Sequence, residues 1–255
     1  MEQTGQWHGT GATHTGLVRP TNQDAFLVAN DLGLWIIADG MGGHAGGDVA
    51  SRITIEAIRG YVAERAGRAS ASKTDEIPSL LRSAVGYANE AVLAHTKANP
   101  EYTGMGTTVV LLFLSAPSSP LAWVAHAGDS RAYLIRDNQI STLTKDHTVP
   151  EEYIQQGRLP EPMPATYQPW HKLTRGVGVN STIETDISMI KLQLEDEFIL
   201  CSDGLNKMLN DKQILDVLIT MRTETPEHKC QALIDQANDR GGVDNTTVIL
   251  ITQSR

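Results

Sequence analysis

Cysteine is scarce in this chain. There are two, Cys201 and Cys230, among 255 residues. Two thiols do not build a disulfide framework, and they are too few for a four-cysteine zinc site. A reducing compartment is the simplest reading, and the cytoplasm the expected location. Basic residues are outnumbered, 21 to 30, for a net charge of −9. Binders of nucleic acid or membrane surfaces need a basic face to displace counterions, so neither partner is expected. The first sixteen residues have neither the basic nor the apolar region of a signal peptide. The longest apolar run, 109–114, is far short of a membrane span. No internal repeat and no linker stand out, which predicts one domain over 1–255. The Walker A and G-x-S-x-G patterns are missing too. A cysteine phosphatase would need an arginine six residues after its thiol; those positions hold Lys207 and Gln236.

What is present centres on LWIIADGMGGHAGG (34–47). A short apolar run ends in Asp39, and Gly40, Gly42 and Gly43 follow before a helical pattern begins. Such a run, bounded by turn residues, reads as a buried strand. The glycines allow the backbone close to whatever the carboxylate holds. The segment also matches G-x-G-x-x-A, the dinucleotide fingerprint. Against that reading, Asp39 would repel a pyrophosphate, and the chain lacks the alternating strand–helix units that the fold requires.

Along the chain, residues 1–33 are polar with scattered glycines, and an edge strand or hairpin is expected only around 25–29. Helices are predicted over 48–64 and 76–98, the second ended by Asn99-Pro100. From Gly106 the pattern turns to strands: 107–114, 121–127, 131–135 after Gly128-Asp129-Ser130, 186–194 and 197–201. A turn is marked by Asp137-Asn138. Residues 147–172 carry five prolines, with a short helix expected at 151–156, and so long an irregular segment is usually functional. Helices at 211–221 and 226–239 and a strand at 246–252 close the chain. The order describes packed sheets flanked by helices.

Four acids recur at strand boundaries beside glycine or asparagine: Asp39, Asp129, Asp203 and Asp244. Each alone reads as a solvated turn residue. Together, converging strand ends would crowd like charges, a cost that a bound cation removes. Oxygen-only ligands select Mg²⁺ or Mn²⁺ rather than zinc. Two ions bridged by one aspartate would lower the pKa of a water between them. Arg19 adds a guanidinium fork suited to phosphate oxygens, and Asp24 an acceptor that could orient the water.

Eight motifs in order carry a resemblance: VRPTNQDAF (18–26), WIIADGMGG (35–43), GMGTTVV (104–110), HAGDSRAYLIRD (126–137), LTKDHT (143–148), LTRGVG (173–178), ILCSDGL (199–205) and GGVDNTTVI (241–249). In these the sequence resembles the metal-dependent protein phosphatases, the PPM or protein phosphatase 2C type, over about residues 12–252. The resemblance implies an α+β fold, a four-layer αββα sandwich of two antiparallel sheets flanked by helices. It implies hydrolysis of phosphoserine and phosphothreonine in phosphoproteins, opposing a cognate Ser/Thr kinase, by a chain expected to be monomeric. Two Mn²⁺ or Mg²⁺ ions are implied, with a third, weaker one. Asp39 would bridge the two ions and the Gly40 carbonyl would bind one; Asp203 and Asp244 would bind the other, and Asp129 with Asp203 the third. Arg19 would hold phosphate, and Asp24 would hydrogen-bond a metal-bound water. Attack would be in line, by the bridging water or hydroxide, without a phosphoenzyme.

One position departs from many eukaryotic members. Where they have a histidine thought to protonate the leaving group, this chain has Met41, as bacterial-type members do. A thioether cannot donate a proton. The leaving group must then take its proton from a metal-bound water or another residue, with His44, His147 and His171 the candidates. The segment 147–172 matches the family's variable flap, expected to touch substrate. The competing reading is a catalytically silent, phosphoprotein-binding regulator of the same family; five intact acids argue against it.

Overall fold

The computed structural model describes residues 6–42, 46–66, 74–116, 119–160 and 172–253. The apolar runs form strands and pack as two antiparallel sheets. One sheet contains β1 (Trp7–His14), β11 (Thr246–Gln253), β10 (Glu197–Cys201), β7 (Arg131–Arg136) and β8 (Gln139–Thr142), in that spatial order. The other contains β2 (Asp24–Ala29), β3 (Leu34–Met41), β5 (Val109–Phe113), β6 (Leu121–Ala127) and β9 (Asp186–Lys191), with the two-residue β4 (Gly106–Thr107) pairing β3.

Strand alternation sorts the core into three layers. On β3, Trp35 and Ile37 point between the sheets, where they meet Phe198, Leu200, Ile249 and Ile251 of the opposing sheet. Their neighbours Leu34, Ile36 and Ala38 face the other way, onto α1 (Gly47–Ala66) and α2 (Ile77–Ala98). On the far side, Ile199, Cys201, Val248 and Leu250 pack on α5 (Asp211–Thr220) and α6 (Pro226–Asp239). The layers are therefore helices, sheet, sheet, helices, as the resemblance implied. Two short helices complete the fold: α3 (Val149–Gln155), and α4 (Asp203–Asn206), whose Leu205 joins the core under α5 and α6.

Local chemistry marks the element ends. The Asn210 side chain accepts from Gln213 N while Gln213 returns a bond to Asn210 N, a reciprocal cap for α5. The Thr225 side chain caps α6, whose first residue is Pro226. The β7–β8 turn uses Asp137 and Asn138 at φ 52° and 57°, the left-handed pair that matches strand twist in a two-residue hairpin.

The first strand was not expected. WHGTGATH lies in the polar, glycine-scattered stretch 1–33, yet it pairs with β11 over eight residues, Trp7 opposite Gln253 to His14 opposite Thr246. Its glycines are a packing requirement. A Cβ on Gly9 would collide with the Trp35 indole, and one on Gly11 would lie 2.5 Å from the Phe26 ring. The sheets approach so closely there that only glycine fits.

Candidate active site

The same alternation that sends Trp35 and Ile37 between the sheets carries Asp39 there at the end of β3. Asp24 is its direct partner on β2. Ser202 and Thr247 continue the inward positions of β10 and β11 and meet Asp24 from the opposite sheet. Ser202 Oγ donates to Asp24 Oδ2 at 2.8 Å and Thr247 Oγ1 at 2.6 Å. Asp203 and Asp244 flank this contact, one just past β10 and the other just before β11. A Cβ on Gly204 would strike the Asn245 carbonyl, so the glycine sets how near the two segments come. Gly40 has the same function in the opening motif. Its missing side chain lets the end of β3, the Gly47 carbonyl and the Gln23 carbonyl pack against one another. The turn after β6 brings Asp129 to the same end of the sandwich.

The structure thus gathers Asp24, Asp39, Asp129, Asp203 and Asp244 into one electrostatic cluster. Burial, followed by the charges of Asp24, Asp203, Asp129 and Asp244, raises the Asp39 pKa well above the carboxylate range. Burial pushes Asp129 up to about 7, with Asp203 and Asp146 adding to it. Asp24 rises to about 6, again chiefly from burial, although its two hydroxyl donors oppose the shift. Asp24 Oδ1 is buried with no hydrogen-bond partner among the described residues. An acceptor left in that state is costly unless a bound group supplies a donor or a charge. These carboxyls fit divalent cations, since the cluster is all oxygen and each acid destabilises its neighbours' charge.

Side-chain cations already partly balance the site. Arg19 forks onto Asp244, Nε to Oδ1 and an Nη to Oδ2, both at 2.9 Å. Arg19 was expected to hold phosphate; here its fork lies on a carboxylate, at the exposed mouth of the cluster. Lys207 was not anticipated at all. Its ammonium pairs with Asp203 and lies 3.2 Å from Asp244. The available signal was its position four residues after Asp203, one helical turn away.

Asn245, within the GGVDNTTVI motif, organises the mouth of the site. It is buried, its amide donates to the Thr15 and Thr21 carbonyls at 2.8 and 2.9 Å, and its oxygen accepts from Gln23 N at 2.9 Å. It fastens both ends of the loop that carries Arg19.

Of the histidines weighed as general acids, His44 and His171 lie outside the described residues. His147 is buried, its Nδ1 accepts from Gly128 N, and its Nε2 faces Asp186 at 3.2 Å. Burial and the adjacent His126 lower its pKa. Of the segment 147–172 expected to be a flap, residues 161–171 likewise lie outside the described residues. Cys201 is buried with its thiol pushed up to about 12 by burial, which suits a core residue and not a nucleophile.

Comparison with known proteins agrees with this architecture. A family model described as Protein phosphatase 2C matches residues 8–236. The serine/threonine phosphatase stp of Listeria welshimeri is 30% identical over 250 residues, which cover 97% of this chain and 96% of that protein. Among solved structures, the S. agalactiae serine/threonine phosphatase superposes with a TM-score of 0.85 at 30% identity, covering 97% of this chain and all of that one. The PstP catalytic domain, solved in complex with two manganese ions, gives a TM-score of 0.79 at 28% identity over 98% of this chain and 99% of that one. With likeness of this extent in both sequence and backbone, the chain belongs to the protein phosphatase 2C family.

Proposed function

We propose that this chain, acting as one catalytic domain, removes phosphate from phosphoserine and phosphothreonine of phosphoproteins at the carboxylate cluster. The serine/threonine phosphatase activity is that of its family. The assignment of residues is our reading. It rests on one observation, the convergence of five buried or half-buried aspartates, of which burial and neighbouring charge raise the pKa of Asp24, Asp39 and Asp129.

In this reading Asp39, the Gly40 carbonyl, Asp203 and Asp244 would hold two ions, and Asp129 with Asp203 would hold a third, weaker one. The all-oxygen set suits Mn²⁺ or Mg²⁺, and the two manganese ions of the PstP structure support the count. When bound, the ions supply Lewis acidity and an activated water for attack at phosphorus. The chain's own groups orient and balance that chemistry. Asp24, held through Oδ2 by Ser202 and Thr247, offers its unpartnered Oδ1 as an acceptor that aligns the water. Arg19 exchanges its carboxylate partner for two phosphate oxygens, which a guanidinium fork matches equally well. Lys207 offsets the charge of Asp203 and Asp244. Met41 contributes no proton, so the leaving alkoxide is protonated by solvent or by another side chain; the engaged nitrogens of His147 disfavour it for that task.

No described helix is long and apolar enough to cross a membrane. A monomeric chain opposing a Ser/Thr kinase completes the proposal. The test is hydrolysis of p-nitrophenyl phosphate and of a phosphothreonine peptide, with Mn²⁺ and after chelation. Turnover that needs Mn²⁺ and is lost in Asp39→Asn is expected. Full turnover in chelator, or in that variant, would overturn the site assignment.

A further inference from the structure

Beside the aspartate cluster, two loops that the chemistry above leaves unused are joined residue by residue. The first, 126–131, carries Asp129. The second, 143–148, ends where the flap segment begins. His126 Nε2 lies 2.9 Å from the Lys145 carbonyl. Gly128 N donates to His147 Nδ1 at 3.2 Å, and His147 N donates back to the Gly128 carbonyl at 2.9 Å. Arg131 forks onto Asp146 through two bonds of 2.8 Å. The residues on both sides of Asp129 are therefore tied to the second loop.

His147 is the hub of these contacts. It is 5% exposed and stacks on His126, the ring centroids 4.5 Å apart and the planes 13° from parallel. Because Nδ1 accepts from Gly128, the neutral ring carries its proton on Nε2, which donates to Asp186 Oδ2. Arg175 Nη1 donates to the other oxygen of Asp186 at 2.7 Å; it also lies 3.3 Å from Nε2, but with the proton on Nε2 its hydrogen bond goes to the carboxylate. Arg175 also marks the return of the flap segment. Thr174 N donates to the His147 carbonyl at 2.9 Å, Val149 N donates to the Lys172 carbonyl at 3.1 Å, and Thr148 bridges Leu173. The Asp129 turn and both stems of the flap thus meet around His147, whose ring holds Gly128 and Asp186 and whose carbonyl accepts from Thr174.

His126, His147 and Asp186 also offer three atoms within 4.8 Å of one another, as a metal site would. The geometry disfavours an ion there. Stacked rings aim their in-plane lone pairs side by side and not at one point. A ligating imidazole normally donates its second N–H, whereas His147 Nδ1 faces a donor. The Arg175 guanidinium already supplies positive charge.

We propose that His147 is a positioning residue that fixes the Gly128–Asp129 turn and, through Asp186 and Arg175, ties it to both stems of the flap. The Asp129 carboxylate is then presented to the cluster while the flap stems are closed on each other. The functional half of this inference rests on the reading of Asp129 as the ligand of the weaker ion.

Amide hydrogen exchange at residues 128–130 and Mn²⁺ titration by calorimetry and turnover test it, in the full chain with His147→Ala, His147→Asn, Asp186→Asn and Asp129→Asn. The Asn oxygen lies close to where Nδ1 was, so it can still accept from Gly128. His147→Ala should speed exchange at the Gly128 amide about fivefold to tenfold, the effect of one lost buried hydrogen bond. It should raise the Mn²⁺ concentration for the weaker step about tenfold, as losses of outer-shell support do, and lower kcat more than it changes KM. His147→Asn should recover much of the exchange protection and the Mn²⁺ response. Asp186→Asn, at an exposed side chain, should move both readouts in the same direction by less, and it carries the test if the alanine variant does not fold. Unchanged exchange at Gly128 in His147→Ala, or equal impairment of the Ala and Asn variants, overturns the proposal. If Asp129→Asn leaves the Mn²⁺ response untouched, the ligand reading fails, while the exchange data still decide whether His147 holds the turn.

Discussion

Asp129→Asn should make the metal-free protein more stable at pH 8, and by a larger margin than at pH 5. Asp129 is 7% exposed, and burial, then Asp203 and Asp146, push its pKa up to about 7. An unfolded aspartate titrates near 3.9. The folded chain therefore binds this proton more tightly. The stability it contributes is fully present below pH ~4 and is lost as pH rises toward 7. A shift of about three units corresponds to at most about 4 kcal/mol. Lys207 and the remaining acids redistribute part of that once one charge is gone, so about 1–2 kcal/mol is the expected gain at pH 8. For a chain of this size that raises Tm by about 2–8 °C. Scanning calorimetry in chelator at both pH values measures it. Saturating Mn²⁺ should then stabilise the wild type more than the variant, because binding to the folded state alone adds to stability and the variant has lost a ligand. A variant no more stable than wild type at pH 8, or one with the same margin at pH 5, would refute the electrostatic reasoning.

Three further outcomes follow from the packing and the hydrogen bonds. Gly9→Ala places a methyl into the Trp35 indole and should cost about 1–3 kcal/mol in urea denaturation; an unchanged midpoint would show that the sheets can separate there. Ser202→Ala removes a donor to Asp24 Oδ2 and the acceptor for Thr247 N, so about 1–3 kcal/mol of stability should go. The Asp24 pKa should climb further above about 6, readable by carboxyl NMR in chelator. Arg19→Ala should lower kcat/KM for p-nitrophenyl phosphate about 10–100-fold, the worth of hydrogen bonds to a charged group. Arg19→Lys should recover only part of it, because an ammonium lacks the fork; full recovery would mean that charge alone matters.

Much of the fold was legible in the sequence. Runs such as Trp35 to Ala38 alternate between two buried faces, and the long α2 stripe has one helical period, so strands and helices were placed to within a few residues. Two strands were not placed, β1 and β8, and β1 is the instructive one. Its glycines carry no hydrophobic signal, and their reason for being there is the Trp35 and Phe26 rings of the opposite sheet. The aspartates were legible because each sits where an apolar run stops. Lys207 and Asn245 were not. A lysine on a short helix reads as solvated, and an asparagine in a turn reads as turn chemistry. Only the fold shows that one faces two carboxylates and the other fastens the Arg19 loop.

The sequence by itself determined which residues could be strand, which helix, and which acids stand at strand ends, because those are local matters of period and turn chemistry. The order of the motifs determined the family. The tertiary structure decided where the acids point. Asp24 is 178 residues from Ser202 and 223 from Thr247, yet hydrogen-bonds both. No local pattern encodes that meeting. It arises because the inward faces of two sheets run to the same end of the sandwich, where separate turn aspartates become one carboxylate cluster. The same packing surrounds the His147 ring with Gly128, His126 and Asp186, which lie 19, 21 and 39 residues away in sequence.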